Sequence, residues 1–272
     1  MSTGKSDKEL AFLHDLYVAT DWGERFAELV DEHVELPKKG RALYVASGTG
    51  GHAMALQERA GDDVTLVCVD DSEERLELAR AKAVAMNSQA EFQYAHPEAL
   101  GFDDDQFDLV VGDASLVAPE RISPMLAEMV RVAAPGGTVA LSLATSSSFG
   151  EVFSVYWEAL RNVGQEGHGV DVESLITELP TVAQVEELAG REGLDSVTSW
   201  TNVEEFDYES GEEFLNSPLI TDFLLRAWLS SLPGEDLQAR VSQEISRIID
   251  EERHDTDFSL SVKATLVSGR KK

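Results

Sequence analysis

The sequence predicts an α/β protein in which helices cover both faces of a mostly parallel sheet. Segments with strand character and segments with helix character alternate between residues 42 and 163, and such alternation places successive strands side by side in parallel. A glycine-rich turn follows the first strand, and an acidic residue ends the second. In open sheets of this kind, these two features lie where a nucleotide binds.

The first strand is predicted at about residues 42–47, and it leads directly into the turn Ser-Gly-Thr-Gly-Gly at 47–51. Glycine adopts positive φ angles at little steric cost and lets a ligand approach the backbone closely. The helix behind the turn offers free N–H groups and the positive end of its dipole. The turn residues Ser47, Gly48 and Gly50 are therefore candidates for cofactor binding.

The second strand is predicted at about residues 63–69, and Asp70 follows it at the position where proteins of this class bind ribose hydroxyls. The next helix is expected to have Asp71 as its cap, because Glu74 lies at capping-box spacing. Apolar residues then recur at helical spacing and predict one buried face. These residues are Leu76, Ala79, Ala83 and Met86.

The rest of the core continues the alternation. Further strands are predicted at about 90–95, 107–112 and 138–144, and helices at about 119–133 and 149–163. Pro119 suits the first turn of its helix, and Pro-Gly-Gly at 135–137 ends that helix.

The two ends of the chain lie outside this alternation. Two helices are predicted before the first strand, near 8–18 and 23–34. The last third predicts helices near 181–193, 218–231 and 236–251 and strands near 196–207 and 258–264. We interpret residues 1–272 as one domain. It consists of an N-terminal helical cap (1–40), a core (41–209 and 254–272) and a helical insertion (210–253) that is expected to roof the acceptor pocket together with the cap.

The composition narrows the class of partner. The chain has 51 acidic and 22 basic residues, so its net charge is −29. This excess disfavours nucleic acid and anionic membrane surfaces. No apolar run approaches the roughly 20 residues that span a bilayer and no signal-peptide core is present, so we expect a cytoplasmic protein.

No metal site is predicted. The single cysteine, Cys68, lies in an apolar strand and is expected to be buried. Histidines 14, 52, 168 and 254 are scattered without the spacing of metal ligands. Tyr17 and Trp22, which precede the first strand, are candidates for lining the mouth of an acceptor pocket.

With these motifs in view, the chain resembles the class I S-adenosylmethionine-dependent methyltransferases, especially their type 11 branch. The turn at 42–50 is similar to the first motif of the family, and Val-Asp-Asp-Ser at 69–72 is similar to its second strand and following helix. The most specific match is Phe-Asp-Leu-Val-Val at 107–111, followed by Arg-Val-Ala-Ala-Pro-Gly-Gly at 131–137. The resemblance covers roughly residues 40–145 by motif, and the last two strands by pattern only.

The resemblance implies a Rossmann-like, seven-stranded methyltransferase sheet in the order 3-2-1-4-5-7-6, with strand 7 antiparallel and a helical insertion between the last two strands. It also implies that S-adenosyl-L-methionine lies over the C-terminal ends of the first four strands. The cofactor-binding residues that it implies, including those of the turn, are Tyr44, Ala46, Ser47, Gly48, Gly50, Asp70, Asp71, His96 and Asp113.

Three of these positions depart from the family pattern. Tyr44 stands where the family usually has an acid that orients the glycine turn and the cofactor's amino group. Ala46 replaces the first glycine of the turn, a mild change if its φ angle is negative. His96 aligns with the acid that accepts the adenine amino group, and a neutral imidazole can accept one hydrogen bond there.

The expected function is methyl transfer from S-adenosylmethionine to a small-molecule acceptor, and no catalytic residue is assigned. Gly-Asp-Ala-Ser at 112–115 replaces the Asn/Asp-Pro-Pro-aromatic motif used by enzymes that methylate adenine in nucleic acids or glutamine amides. The alternative is a catalytically degenerate methyltransferase fold that acts as a binding or regulatory module. A nicotinamide oxidoreductase also fits the pattern G-x-G-x-x-A at 48–53, although no Tyr-x-x-x-Lys pair accompanies it. A homodimer is compatible with the sequence.

Overall fold

A computed structural model describes residues 4–252 and 257–272 of the chain. Seven strands form one sheet in the order β3-β2-β1-β4-β5-β7-β6. The strands are β1 (Gly40–Val45), β2 (Val64–Asp70), β3 (Glu91–Tyr94), β4 (Phe107–Asp113), β5 (Ala133–Ala144), β6 (Leu194–Tyr208) and β7 (Phe258–Lys271).

Strands β1 to β5 pair in parallel, whereas β7 runs antiparallel to β5. The predicted strand order and the antiparallel seventh strand are therefore confirmed. Because β1 pairs with both β2 and β4, the strand order reverses at β1, and the turn after β1 lies at the reversal. Ligands of open α/β sheets bind outside the carboxyl ends of the strands at this point.

The α-helices are α1 (Asp7–Leu13), α2 (Glu24–His33), α3 (Gly51–Ala60), α4 (Glu73–Met86), α5 (Pro119–Val132), α6 (Gly150–Asn162), α7 (Gly169–Glu178), α8 (Val182–Arg191), α9 (Gly211–Asn216), α10 (Leu225–Trp228) and α11 (Glu235–Glu252). Two π-helical segments, His14–Gly23 and Leu219–Leu224, and a 3₁₀ turn at Glu166–His168 complete the helical elements of the described residues. Within the described residues, no helix combines the length and the apolarity needed to cross a membrane.

The chain divides into two compact units. Of the described residues, the sheet unit comprises 6–144, 181–201 and 264–272, and the helical unit comprises 4–5, 145–180, 202–252 and 257–263. In the sheet unit, a core of buried aliphatic side chains lies between the strands and helices α5 and α8. Leu43 and Val45 of β1 are completely buried, as expected for a parallel strand covered on both faces.

The helical unit has its own aromatic core. Phe149 and Phe153 pack against Trp228, with ring centroids 5.2 and 5.3 Å from the indole. Phe214 packs edge-to-face on Tyr208 and on Phe258, at 5.2 and 5.3 Å. Edge-to-face pairs are favoured by the quadrupoles of the rings, so these clusters stabilise the unit beyond the area that they bury.

The structure corrects the prediction of two separate N-terminal helices. The chain stays helical from α1 to α2, because the π-helix His14–Gly23 joins them and Gly23 keeps right-handed helical angles (φ −62°). A glycine inside a helix costs only about 1 kcal/mol, and packing of the buried Val18 and Trp22 offsets it.

The start of α4 is also different from the prediction. Ser72, not Asp71, is the N-cap, since its hydroxyl accepts a hydrogen bond from the amide of Arg75 at 3.2 Å. Leu76 of the predicted buried face is confirmed as buried, and so are Ala79 and Ala83. The prediction is wrong for Met86, which is 61% exposed because the helix ends there.

Helices α7 and α9 were not predicted.

Strand β7 is longer than the predicted 258–264. The prediction left out its second half, 265–271, because that half loses the strict alternation and is nearly all buried. That half pairs with β5 in the sheet unit, where both faces are covered and apolar residues no longer alternate with polar ones.

Candidate functional site

The turn after β1 has an unusual backbone. Ala46, Gly48 and Gly50 all have positive φ angles, of 57°, 57° and 78°. Ala46 therefore does not meet the condition under which its replacement of glycine was expected to be mild. A left-handed conformation costs a residue with a Cβ roughly 1–2 kcal/mol, so the turn keeps some strain.

The glycines of the turn are in close contact with other side chains. A Cβ on Gly48 would lie 2.9 Å from Cε1 of His14, and one on Gly50 would lie 2.7 Å from the ring of Phe92. Both turn glycines are needed for packing as well as for their φ angles. The contact with His14 shows that the N-terminal helical segment covers the turn directly.

Asp70, at the end of β2, is buried and accepts hydrogen bonds at both carboxylate oxygens. Its Oδ2 accepts the amide of Gly48 at 2.8 Å, and its Oδ1 accepts the amide of Ser72 and Nε of Arg75, each at 2.9 Å. Burial raises the pKa of Asp70, and the Arg75 guanidinium and the amide hydrogen bonds oppose that rise. Oδ2 retains one lone pair for a further donor, which is the capacity that binding a ribose hydroxyl requires.

Asp71 faces two guanidinium groups. It lies 3.1 Å from Arg75 and 2.8 Å from Arg121 of α5, and Arg121 also pairs with Glu98 at 2.8 Å. The hydrogen bond to Glu98 is the main cause that raises the pKa of Arg121. This network joins the end of β2 to the segment after β3. The predicted adenine site would lie between these two segments.

The side chain of His96 is exposed and weakly held. Its Nε2 lies 3.2 Å from the hydroxyl of Tyr94, which is itself 50% exposed. The two rings meet edge-on, with their centroids 5.3 Å apart.

Asp113 lies half-buried at the end of β4. Its Oδ1 accepts the amide of Ser115 at 2.9 Å, and the Ser115 hydroxyl accepts the indole N–H of Trp22 at 3.0 Å. Burial raises the pKa of Asp113, and hydrogen bonds from Ser115 oppose the rise. Trp22, predicted at the pocket mouth, is buried beside this carboxyl group, whereas Tyr17 is 54% exposed.

Tyr44 is 5% exposed and lies on β1 just before the turn. Its hydroxyl is 2.9 Å from Nδ1 of His52, and Nε2 of His52 is 2.9 Å from Oδ1 of Asp31 on α2. The position that usually carries an acid in the family is thus occupied by a phenol that is linked through an imidazole to a carboxylate.

Sequence reasoning missed the contribution of the N-terminal segment. Asp15 accepts hydrogen bonds from the hydroxyl of Thr49 in the turn and from Lys82 of α4. His14 lies on Gly48, and its pKa is lowered to about 3, chiefly by burial and then by the charge of Arg75. Adjacent polar residues in a helix before the first strand carry no motif, so only the packing identifies them.

The turn contains an orphaned polar atom. Among the described residues, the buried hydroxyl oxygen of Ser47 has no hydrogen-bond partner, although its backbone amide donates to Val69 at 3.0 Å. A buried hydroxyl without a partner costs about 1–3 kcal/mol. An orphaned hydroxyl, turn glycines and a ribose-type acid at one place fit an adenosyl cofactor.

The described histidines lie outside any cluster suited to a metal ion. No group of three or more His, Cys, Asp or Glu side chains suited to a metal ion occurs in residues 4–252 and 257–272. His254 lies outside the described residues. Cys68 is buried as predicted, and burial raises its pKa.

Part of the chain is similar to known proteins. Residues 42–137 match a family model described as a methyltransferase domain. The chain is 34% identical over 146 residues to a demethylmenaquinone methyltransferase of Deinococcus radiodurans, and 32% identical over 131 residues to one of Staphylococcus epidermidis. These matches take in 53% and 46% of this chain, and the chain spans only 59% and 53% of the two relatives.

Solved structures support the fold. The YcgJ protein of Bacillus subtilis superposes with a TM-score of 0.59 at 16% identity, covering 92% of this chain and 99% of that one. Phosphoethanolamine N-methyltransferase 2 of Haemonchus contortus, in complex with S-adenosyl-L-methionine, gives 0.57 at 15% identity and covers 100% of this chain and 59% of its own. At these identities the likeness shows a shared Rossmann-like methyltransferase fold.

Proposed function

We propose that this chain is a class I S-adenosylmethionine-dependent methyltransferase that binds S-adenosylmethionine and methylates a small-molecule acceptor. The methyltransferase-domain match at residues 42–137 supports this proposal. The observation that carries the proposal is the position of Asp70. Its buried carboxylate holds the turn through Gly48 and has a free lone pair at the reversal of strand order.

The residues that would hold the cofactor fall into three groups. The turn, with the orphaned hydroxyl of Ser47, would hold the amino-acid part. Asp70 would accept a ribose hydroxyl, and the side chains around Asp71 and His96 would flank the adenine. When bound, S-adenosylmethionine supplies a methyl group on a sulfonium sulfur that is already activated for transfer.

The chain's own tasks are then positioning and proton handling. The N-terminal segment covers the turn through His14 and Asp15 and keeps water from it. If the acceptor carries a proton at its nucleophilic atom, the carboxyl group of Asp113 is suited to receive it. Its pKa is raised by burial, and Ser115 fixes its orientation.

The acceptor is proposed to be a small molecule. The Deinococcus and Staphylococcus relatives are named demethylmenaquinone methyltransferases, and the Haemonchus neighbour is named for phosphoethanolamine. The net charge of −29 disfavours a nucleic acid as acceptor.

Titration calorimetry with S-adenosylmethionine and S-adenosylhomocysteine tests the proposal. We expect both to bind the wild-type protein with a one-to-one stoichiometry. Two glycine variants form a matched pair, Gly48→Ala and Gly51→Ala. Gly48 has a positive φ and would press on His14, whereas a Cβ on Gly51 meets nothing within 4 Å. Binding should be lost in the first variant and kept in the second.

The same titration separates the proposal from its alternative, a degenerate methyltransferase fold acting as a binding or regulatory module. That alternative rests on Tyr44 and His96, which depart from the family pattern. Absence of heat with either ligand at millimolar concentration favours the alternative. Binding together with transfer of a labelled methyl group to a panel of small hydroxyl, amine and quinol compounds supports the enzyme.

A further inference from the structure

One hydrogen bond closes the base of the turn at residues 46–50. Tyr44 is the next-to-last residue of β1, and His52 is the second residue of α3, so the two residues flank the turn on either side. The phenol oxygen lies 2.9 Å from Nδ1, and the two rings meet edge-on with centroids 5.6 Å apart. This contact sets the distance between the strand and the helix that carry the turn.

The imidazole of His52 is itself oriented from the other side. Its Nε2 lies 2.9 Å from Oδ1 of Asp31, and Arg59 pairs with the same carboxylate. Burial works to raise the pKa of Asp31, but hydrogen bonds from His52 and Arg59 outweigh it and the pKa is lowered, so the carboxylate is ionised at neutral pH.

The direction of the hydrogen bonds follows from the ionised carboxylate. A carboxylate can only accept, so Nε2 carries a proton toward Asp31. In the neutral tautomer with that proton on Nε2, Nδ1 presents a lone pair and the Tyr44 hydroxyl donates to it. Burial raises the pKa of Tyr44 well above its usual value, which keeps the hydroxyl protonated for this role.

The turn needs such a closure because its backbone is strained. Three of its five residues are left-handed, and one of them is Ala46. The amides of Ser47 and Gly48 fix the middle of the turn to β2, through the carbonyl of Val69 and the carboxylate of Asp70. Within the turn the amide of Gly50 donates to the carbonyl of Ser47 at 3.0 Å, and the pair Tyr44–His52 adds a side-chain link between the strand and the helix that flank the turn.

We propose that the chain Tyr44–His52–Asp31 is a positioning device that holds the turn at 46–50 in the shape that binds the cofactor. The proposal rests on the proposed function for what the turn binds. It adds two positioning residues, His52 and Asp31, and it assigns the phenol at 44 a defined partner. A phenylalanine would fill the same buried space without a polar group to satisfy, so the hydroxyl indicates a role beyond packing.

The first test is cofactor affinity in four variants. Asparagine at 52 keeps an amide near the position of Nδ1, whereas glutamine keeps one near Nε2. We expect Tyr44→Phe and His52→Gln to raise the Kd for S-adenosylhomocysteine about tenfold, the equivalent of one hydrogen bond. Asp31→Asn should raise it about threefold, and His52→Asn should stay within twofold of wild type. Histidine 168, which pairs with Asp171 at 2.8 Å in the helical unit, gives the control His168→Asn, with no change.

The coupling between the two ends of the turn is the second readout. If the hydroxyl acts through Nδ1, the double variant Tyr44→Phe/His52→Gln loses no more affinity than either single variant. A double variant whose Kd rises about a hundredfold, the product of the two single losses, overturns the proposal. So does a Tyr44→Phe variant that unfolds at a lower temperature while its Kd is unchanged, since that result describes packing alone.

A measurement without cofactor keeps the inference separate from the proposed function. Hydrogen exchange of the amides at 47–51 in the free protein should be at least fivefold faster in Tyr44→Phe than in wild type, and unchanged in His52→Asn. If the wild-type protein binds no S-adenosyl ligand, the proposed function fails. The exchange rates in the free protein still decide whether the hydrogen bonds of Tyr44, His52 and Asp31 hold the turn. Equal exchange in wild type and Tyr44→Phe overturns the inference.

Discussion

The two sides of the candidate cofactor site are built very differently. On the sugar side, Asp70 is 1% exposed and receives hydrogen bonds from two backbone amides and a guanidinium. On the adenine side, His96 is an exposed ring with one long hydrogen bond to the half-exposed Tyr94. Buried, charge-assisted hydrogen bonds are stronger and more directional than exposed neutral ones. If S-adenosylmethionine binds as proposed, we expect the turn and Asp70 to contribute more to its affinity than His96 does.

The largest effect is expected at the sugar side, in Asp70→Asn. The amide NH₂ of asparagine must face either the amide of Gly48 or the N–H groups of Ser72 and Arg75, so one donor–donor contact is unavoidable. We expect the Kd for S-adenosylhomocysteine to rise by at least about tenfold, the loss of roughly 1.5–3 kcal/mol of charged hydrogen bonding. Calorimetry measures it.

A matched control for that variant is Asp63→Asn, at an exposed acid before β2. It should bind like wild type. An unchanged Kd in Asp70→Asn removes the contrast between the two sides.

The next effect concerns the strain in the turn. Ala46→Gly replaces a left-handed alanine (φ 57°) by the residue that adopts this conformation freely, so the free energy of unfolding should rise by about 1 kcal/mol. Urea denaturation followed by circular dichroism measures it. The control Ala81→Gly, on the exposed face of α4, should lose about 1 kcal/mol. If Ala46→Gly lowers the free energy of unfolding as Ala81→Gly does, the backbone at residue 46 is not strained.

A smaller effect is expected where the N-terminal segment meets the turn. Burial works to raise the pKa of Asp15, but hydrogen bonds from Lys82 and Thr49 outweigh it and the pKa is lowered. Its contribution to stability is therefore complete above the unfolded pKa of about 4 and is lost as the pH falls through the lower folded value.

Asp15→Asn tests this contribution. Because the side chain is partly exposed, we expect only about 0.5–1 kcal/mol at pH 7. The difference from wild type should shrink as acid is added, as chemical unfolding at several pH values would reveal. A difference that grows toward low pH speaks against the assigned ion pair.

The smallest effect is expected on the adenine side, in His96→Ala. Because the ring is exposed and makes one long contact, the Kd for S-adenosylhomocysteine should change less than about threefold, well under 1 kcal/mol. A loss as large as that of Asp70→Asn would show that His96 recognises adenine and that the two sides contribute alike. Calorimetry on the two variants in parallel gives the comparison.

Much of the fold could be predicted because local signals and packing agree. The run at 107–111 lies in β4 and the glycine turn lies between β1 and α3, as predicted. Pro-Gly-Gly at 135–137, predicted as the stop between a helix and a strand, lies inside β5 instead. The predictions were wrong where a local rule had a close competitor. Ser72, rather than the adjacent Asp71, is the N-cap of α4. Gly23 lies inside a continuous helical segment because the nearby Val18 and Trp22 are buried.

The site was predictable only along the strands. Asp70 and the turn follow from position in the chain, since the ends of parallel strands meet at one edge. The contacts of His14 and Asp15 with the turn, and of Asp31 with His52, do not follow, because they depend on how a helical segment without a motif packs there. The sign of φ at Ala46 was likewise invisible, since alanine is ordinarily right-handed or extended.

A crystal structure of the protein grown with S-adenosylhomocysteine tests the central claim most directly. We expect density for the adenosyl group over the turn at 46–50, with a ribose hydroxyl within hydrogen-bond distance of Oδ2 of Asp70. Density at any other place, or a saturated crystal in which His14 still fills the space over Gly48 and no ligand is seen, would contradict it.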